Sequence, residues 1–133
     1  MQDALRLVLI DDDQGVLRAL SLLLKAMRYE VTPFNLPAEA IKYIKESTLV
    51  DLVVTDLRMP VLSGDAVVSA VKQINNELPV IVMSGHASGS DLELLRARGA
   101  DAFIPKPFTP DQLTKAMDSL AVLREKTRVH ARM

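Results

Sequence analysis

Residues 5–13 read LRLVLIDDD, a mostly apolar run that stops abruptly at three consecutive aspartates. An apolar run of this length with polar residues after it predicts a β-strand that is covered on both faces. The same arrangement returns further along the chain, where residues 52–56 read LVVTD and residues 80–85 read VIVMSG. The chain is therefore built around buried strands that end in polar side chains.

Segments with helical spacing of apolar residues alternate with these strands. The predicted strands cover residues 5–10, 30–34, 52–55, 80–83 and 102–104. A predicted helix follows each strand, at about residues 16–27, at 37–46, from 64, at 92–98 and from 109. Five strand–helix units in alternation predict an α/β fold, a doubly wound five-stranded parallel sheet with helices on both faces.

Residues that are typical of helix ends support several of these predicted helices. Asp13 can cap the first helix, and Pro37 suits the first turn of the second. Gly99 is placed to end the fourth helix, since glycine readily adopts the left-handed conformation found there. Thr109, followed by Pro110, can begin the last helix.

The length and composition indicate a single globular domain. At 133 residues the chain can bury one substantial core, which must be aliphatic because only 4% of the residues are aromatic. A formal net charge of -1 disfavours nucleic acid as a direct partner, because phosphate binding needs a basic surface. The sequence has no cysteine, which excludes disulfides and thiolate metal sites. No apolar run reaches the ~18 residues that a membrane helix needs, so we expect a soluble, cytoplasmic domain.

Polar side chains follow four of the predicted strands. Three aspartates at 11–13 follow the first strand, Asp56 ends the third, Ser84 the fourth, and Lys106 follows the fifth. The carboxyl ends of parallel strands meet at one edge of a sheet, where ligands bind in such folds. Clustered carboxylates repel one another and raise their own pKa values, which a hard divalent cation relieves. We therefore predict a magnesium site at this edge.

This set of residues predicts phosphoryl transfer to a carboxylate. The cation and the lysine would neutralise the charge of an incoming phosphoryl group, and the serine hydroxyl would bind one of its oxygens. An aspartate in such a site can attack phosphorus and form an aspartyl-phosphate.

Four short motifs occur in order along the chain: VLIDDD at 8–13, DLRMP at 56–60 with Gly64 after it, MSG at 83–85 and KPF at 106–108. Together they resemble the receiver domain of bacterial two-component response regulators. The resemblance runs from about residue 5 to residue 123 and implies a flavodoxin-like (βα)5 fold with strand order 2-1-3-4-5. We take residues 1–123 as the receiver domain and residues 124–133 as a helical extension or the start of a linker.

The resemblance implies a role for each matching residue. Asp56 is the expected phosphoacceptor, and Asp11 and Asp12 are the expected acidic pair that holds Mg²⁺. Asp56 itself and the backbone carbonyl of Arg58 are the other expected ligands of the metal. Lys106 is expected to pair with the phosphoryl group.

The resemblance also implies a conformational switch. Ser84 is expected to hydrogen-bond the phosphoryl group and to move toward it, which opens space into which Phe103 turns. The family more often has Thr at position 84 and Ala at position 85, and a phenylalanine at position 103 can act only through packing. The bond between Lys106 and Pro107 is expected to be cis, as is usual in the family.

Arg58 and His86 lie two residues beyond Asp56 and Ser84, respectively. Either side chain could border the phosphoryl site and tune hydrolysis of the acyl phosphate. We interpret both as solvated loop residues.

The resemblance implies a phosphohistidine donor, either a histidine kinase or a histidine phosphotransfer protein. It further implies that a partner, or a second copy in a homodimer, reads the face formed by the fourth helix, the fifth strand and the fifth helix. Such a domain is not an enzyme in the usual sense, since it catalyses only its own phosphorylation and dephosphorylation.

Two other interpretations stay open at the level of sequence. A phosphohydrolase of the haloacid dehalogenase type would use Asp11 as its nucleophile and leave Asp56 dispensable. Gly15 falls one place late for that family's motif, and no acidic pair follows Lys106 in the expected form. The chain could also keep a receiver fold without being phosphorylated, which the intact set of Asp56, Ser84 and Lys106 disfavours.

Overall fold

The computed structural model describes residues 4–47 and 49–120. Within these ranges strands and helices alternate, as β1 (Arg6–Ile10), α1 (Gln14–Ala26), β2 (Glu30–Phe34), α2 (Pro37–Glu46), β3 (Leu52–Asp56), α3 (Gly64–Ile74), β4 (Val80–Ser84), α4 (Gly89–Arg98), β5 (Ala102–Pro105) and α5, which runs through residues 110–120. The extension expected at 124–133 lies outside the described residues. Over the same ranges, no helix combines the length and the apolar character that crossing a lipid bilayer requires.

All five strands join one parallel sheet in the order β2-β1-β3-β4-β5. This order confirms the predicted doubly wound fold. The chain runs outward from β1 to β2 and then crosses back to β3, so the direction of winding reverses between β1 and β3. Ligands of such sheets bind at this reversal, beyond the carboxyl ends of the strands.

Two aliphatic clusters cover the two faces of the sheet. Successive residues of a strand point to opposite faces, so Val8 belongs to one cluster and Leu9 to the other. α2, α3 and α4 cover the first cluster, whereas α1 and α5 cover the second. Because both faces are covered, β3 and β4 are buried along their whole length, as the apolar runs predicted.

Most helix ends follow the signals in the sequence. The Asp13 carboxylate accepts hydrogen bonds from two amides in the first turn of α1 and caps that helix. Pro37 occupies the first turn of α2. Gly99 ends α4 in the left-handed conformation, with φ at 105°. The Thr109 hydroxyl accepts a hydrogen bond from the Gln112 amide at the start of α5.

α4 begins earlier than its apolar residues predicted. It starts at Gly89, not at Leu92, because Ser88 and Asp91 form a capping box. The Ser88 hydroxyl accepts from the Asp91 amide, and the Asp91 carboxylate accepts from the Ser88 amide. The spacing of Ser88 and Asp91 was a usable signal for this start, whereas the apolar spacing was not.

Gly64, the first residue of α3, lies against the end of β3. A Cβ atom at this position would be 2.5 Å from the Asp56 carbonyl oxygen and 2.8 Å from the Leu57 Cα atom. The Gly64 amide donates to the Leu57 carbonyl at 2.8 Å, which holds the two segments together. A residue without a side chain therefore sets the distance between α3 and the strand end that carries Asp56.

We predict that Gly64→Ala lowers the free energy of unfolding by about 1–3 kcal/mol, because the added methyl group meets backbone atoms that cannot turn aside. Urea denaturation measures the change. Gly89→Ala is the matched control, since Gly89 also begins a helix but a Cβ there has no atom within 4 Å. That variant should be neutral or stabilised by about 0.4–1 kcal/mol. Equal stabilities of the two variants would contradict the prediction.

A second prediction concerns Tyr29, whose hydroxyl donates to Asp118 on α5 at 2.9 Å. Burial, together with this hydrogen bond, raises the pKa of Tyr29 from 10.0 to about 12. The folded state therefore holds the phenolic proton more tightly than the unfolded state, and stability is lost as the pH rises from about 10 to about 12. Tyr29→Phe should show a smaller loss in urea denaturation over this interval than the wild type. An unchanged slope in Tyr29→Phe would refute the assignment.

Candidate functional site

The register of the sheet collects the predicted polar residues at one edge. In the pairing of β1 with β3, Asp11 comes directly after the last paired residue and lies level with Asp56. Ser84 of β4 pairs with Pro105 of β5, and Lys106 comes next. The parallel arrangement therefore brings the carboxyl ends of β1, β3, β4 and β5 together, as the sequence predicted.

Lys106 is a cation that contacts both buried carboxylates. Its Nζ atom lies 3.2 Å from Asp56 Oδ1 and 3.5 Å from Asp11 Oδ2. Burial by itself would lower the pKa of Lys106, but the charges of Asp11 and Asp56 outweigh it and hold the pKa above its usual value. The lysine therefore stays charged at the site. The peptide bond from Lys106 to Pro107 is cis, as the resemblance implied.

Asp11 is a carboxylate whose burial is only partly compensated. Its side chain is 1% exposed, and one carboxylate oxygen accepts a hydrogen bond from the Asp13 amide at 2.9 Å. Burial raises the pKa of Asp11, and the neighbouring Asp56 adds to the rise, while the Asp13 amide and Lys106 oppose it without cancelling it. A further cation would stabilise the charged form of such a carboxylate.

Asp11, Asp12 and Asp56 form a cluster that fits a divalent cation. One carboxylate oxygen from each lies within 4.8 Å of the others. Asp11 and Asp56 are buried and Asp12 is exposed, so the cluster opens to solvent on one side. Carboxylate oxygens with access for water suit Mg²⁺ better than a soft metal. The backbone carbonyl of Arg58 belongs to the loop after β3, and its role as a ligand stays a prediction.

Ser84 is buried, and its hydroxyl is bound to the loop that follows β4. The hydroxyl donates to the His86 carbonyl and accepts from the His86 amide, both at 3.2 Å. Two hydrogen bonds to the backbone of His86, in the loop after β4, thus hold the side chain. A bond from this hydroxyl to any ligand would replace the contact with the His86 carbonyl.

Phe103 is partly buried on β5, where it pairs with Val82 of β4. Its ring packs against the cluster that α2, α3 and α4 cover. The structure therefore places this aromatic side chain on the same face of the sheet as α4. Its movement as part of a switch stays a prediction.

Arg58 makes contacts that its sequence position did not suggest. Its Nη2 atom lies 2.7 Å from Asp91 Oδ2 on α4 and 3.4 Å from the His86 carbonyl oxygen. The pKa of Asp91 lies below its usual range, first because its carboxylate accepts a hydrogen bond from the Ser88 amide and also because the charged Arg58 guanidinium lies beside it. The solvated-loop interpretation of Arg58 is therefore incomplete, since an exposed side chain joins two loops. No local signal reveals this pair, because its members lie 33 residues apart in sequence.

An apolar groove with a volume of about 700 Å³ adjoins the charged edge. Val16 and Leu20 of α1 line one side, and Pro107 and Phe108 line the other. Lys106 also lines the groove, so the apolar surface is continuous with the polar site. An apolar surface therefore lies beside Lys106, the cation of the charged edge.

Comparisons with known proteins agree with this geometry. The family model for the response regulator receiver domain matches residues 7–118. The transcriptional regulatory protein GlrR of Escherichia coli is 33% identical over 112 residues, which are 84% of this chain and 25% of GlrR. The transcriptional regulatory protein PrrA of Mycobacterium leprae is 36% identical over 115 residues, which are 86% of this chain and 49% of PrrA. The chain thus spans between about a quarter and about half of the length of these relatives.

Solved structures share the fold. A response regulator receiver domain protein from Methanospirillum hungatei superimposes with a TM-score of 0.88, and the match covers 93% of this chain and 98% of that protein. Its sequence identity is 24%, so this likeness shows only that the two chains share a fold. A receiver domain from Clostridium thermocellum has a TM-score of 0.86 and 29% identity, with 92% and 98% coverage. These relatives give no support to the phosphohydrolase alternative. The match to the family model across most of the chain, on this fold, means that the protein belongs to the response regulator receiver domain family.

Proposed function

We propose that this receiver domain accepts a phosphoryl group on Asp56 from a phosphohistidine of a histidine kinase or a histidine phosphotransfer protein. The observation that supports this most directly is the 3.2 Å contact between Lys106 Nζ and Asp56 Oδ1 beside the acidic cluster. Lys106 puts a positive charge next to the atoms where negative charge builds up during the transfer. Asp56 is 8% exposed, so its carboxylate is held by the fold without being sealed from a donor.

The acidic cluster supports a requirement for magnesium. Asp11, Asp12 and Asp56, with the backbone carbonyl of Arg58, are the proposed ligands, and the bound ion supplies charge neutralisation for the phosphoryl oxygens. Three carboxylate oxygens within 4.8 Å of one another fit this assignment. So does the raised pKa of Asp11, which burial causes and which a cation would offset.

In the proposed transfer, a carboxylate oxygen of Asp56 attacks phosphorus in line with the bond to the donor histidine. The new P–O bond forms as the P–N bond breaks, and the imidazole nitrogen keeps the electron pair. Lys106 pairs with one phosphoryl oxygen, and the Ser84 hydroxyl donates to another. Attack by water on phosphorus later breaks the P–O bond to Asp56, releases inorganic phosphate and returns Asp56 to its free carboxylate, so the domain acts only on its own phosphorylation and dephosphorylation.

The conformational response is proposed to pass from Ser84 to Phe103. To reach the phosphoryl group, the Ser84 hydroxyl must give up its hydrogen bond to the His86 carbonyl. Phe103, which is only partly buried at present, then turns into the space that Ser84 leaves. The result is a shift between two packings of the same fold.

Two surfaces are proposed for partners. The donor docks at the charged edge, where the apolar groove beside Lys106 offers it contact area. A second copy of the chain docks on the face of α4, β5 and α5. The association of two copies, apart from the choice of face, draws support from the beryllofluoride-activated receiver domain of NtrC4, which is 26% identical with a TM-score of 0.83 and is described as a dimer.

Replacing Asp56 with asparagine should abolish labelling by acetyl phosphate and Mg²⁺, because an amide lacks the nucleophilic carboxylate oxygen. Mass spectrometry of the intact protein measures the added phosphoryl group. Asp111→Asn, at an exposed position of α5, should be labelled like the wild type. Stoichiometric labelling of a folded Asp56→Asn variant would sink the assignment, and a wild type that takes no label would favour the unphosphorylated module instead.

The metal assignment is tested by two neighbouring aspartates. Asp12→Asn should raise the Mg²⁺ concentration for half-maximal labelling by roughly ten-fold or more, since the number of charged ligands sets the affinity of such sites. Asp13→Asn is the control, because Asp13 caps α1 and asparagine caps a helix equally well. EDTA should stop labelling of both variants. An unchanged Mg²⁺ requirement in Asp12→Asn would remove that residue from the site.

A further inference from the structure

Among α1 to α4, the fourth helix is held least by the core. Leu95 is its one buried residue, whereas α1, α2 and α3 each bury three or four. Leu94 of the same helix is 42% exposed. With so few buried apolar contacts, the position of α4 depends on polar contacts at its two ends.

At the start of α4, Arg58 contacts the residue that caps the helix. Its Nη2 atom lies 2.7 Å from Asp91 Oδ2, and the same carboxylate oxygen accepts from the Ser88 amide at 2.9 Å. The same guanidinium nitrogen lies 3.4 Å from the carbonyl oxygen of His86. Arg58 therefore joins the loop after β3 both to α4 and to the loop before it.

At its other end, α4 is tied to α3. Arg98 donates to the Ser69 hydroxyl at 2.9 Å, and its Nε atom lies 3.8 Å from Asp65 Oδ2. None of these residues belongs to the acidic edge. The two ends of α4 thus differ, because only the first is linked to the residues around Asp56.

The His86 carbonyl connects Arg58 with Ser84. It accepts from the Ser84 hydroxyl at 3.2 Å and from the Arg58 guanidinium at 3.4 Å. A Ser84 hydroxyl that turns to a phosphoryl group leaves this carbonyl to Arg58 alone. The His86 carbonyl oxygen therefore links the placement of the Ser84 hydroxyl to that of Arg58, the residue that contacts α4.

We propose that Arg58 is a positioning residue that holds α4 in its resting place through Asp91 and thereby opposes the movement of Ser84 toward Asp56. The inference rests on the proposed phosphorylation of Asp56. When Asp56 carries a phosphoryl group, the Ser84 hydroxyl turns to it and leaves the His86 carbonyl to Arg58, and the contact of Arg58 with Asp91 is released. The start of α4 is then free to move, while Arg98 keeps the other end on α3.

The pair suits this role because it is easily broken. The Arg58 side chain is 64% exposed and that of Asp91 is 25% exposed, and exposed ion pairs contribute little to folding stability. Loss of the pair therefore leaves the fold intact. What changes is the equilibrium between two positions of α4, and with it the rate of phosphorylation.

The test compares rates of labelling by acetyl phosphate and Mg²⁺. Asp91→Asn keeps an oxygen that can cap α4 but removes the charge that pairs with Arg58, and Arg58→Gln removes the opposite charge. Each variant should be labelled roughly two- to five-fold faster than the wild type, the factor expected for loss of an exposed ion pair. Because both changes act on one contact, the double variant should be no faster than the faster single variant.

Two further variants separate this contact from a general effect of charge. Glu93→Gln removes one negative charge from the same helix, at a residue that has no ion pair within residues 4–47 and 49–120. It should keep the wild-type rate. Arg58→Lys retains a cation for Asp91 and should return the rate toward that of the wild type.

Backbone amide resonances supply a readout that does not depend on turnover. In Asp91→Asn without any phosphodonor, the signals of residues 85–89 should move toward the positions that they take in the wild type with beryllofluoride and Mg²⁺. Glu93→Gln should leave these signals in place. A purely structural role of Asp91 in capping would move them in another direction.

The outcomes distinguish the inference from the proposed function. Wild-type rates and unmoved resonances in both Asp91→Asn and Arg58→Gln would overturn the inference, as would an equal acceleration in Glu93→Gln. In either case labelling of the wild type but not of Asp56→Asn would still uphold Asp56 as acceptor. If the wild type takes no label and beryllofluoride moves no resonance near Asp56, the proposed function fails and the inference fails with it.

Discussion

Two buried carboxylates at neighbouring strand ends, Asp11 and Asp56, share Lys106 as a cation, and the proposed chemistry of this domain depends on the resulting excess of negative charge. Two negative charges face one positive charge where burial makes a charge expensive to maintain. Asp12 adds a third carboxylate at the rim. The edge is therefore suited to a divalent cation and, with it, to the oxygens of a phosphoryl group. The sheet register and the close approach at Gly64 maintain the spacing that this arrangement needs.

The molecule divides into a part held by packing and a part held by polar contacts. The sheet, α1, α2 and α3 rest on two aliphatic clusters, in which any displacement costs close contacts. The loop after β4 and α4 itself are held mainly by hydrogen bonds and exposed ion pairs, which exchange at little cost. An acceptor on rigid strands next to a loosely held helix is an arrangement in which a local change of charge can alter a surface.

Local pattern explains why most of the fold was predictable. Strands covered on both faces are apolar throughout, and helices covered on one face repeat their apolar residues at helical spacing. Both kinds of element can therefore be recognised from the pattern of apolar residues. α4 shows where this fails, because it buries only Leu95 and its apolar residues mark neither its start nor its face. Its polar capping signal, Ser88 with Asp91, carried the information instead. The resemblance to receiver domains correctly implied the cis bond before Pro107, which composition and periodicity do not predict.

The sequence by itself determined the order of strands and helices, the polar residues at the strand ends and the family, because each of these follows from neighbouring residues or from short motifs. Only the tertiary structure decided that Lys106 bridges Asp11 and Asp56, that the Ser84 hydroxyl rests on His86, and that Arg58 reaches Asp91. The long-range contacts among these depend on distances of a few ångströms between atoms on separate segments. Those distances are set by how the helices pack on the sheet, which no single stretch of sequence encodes.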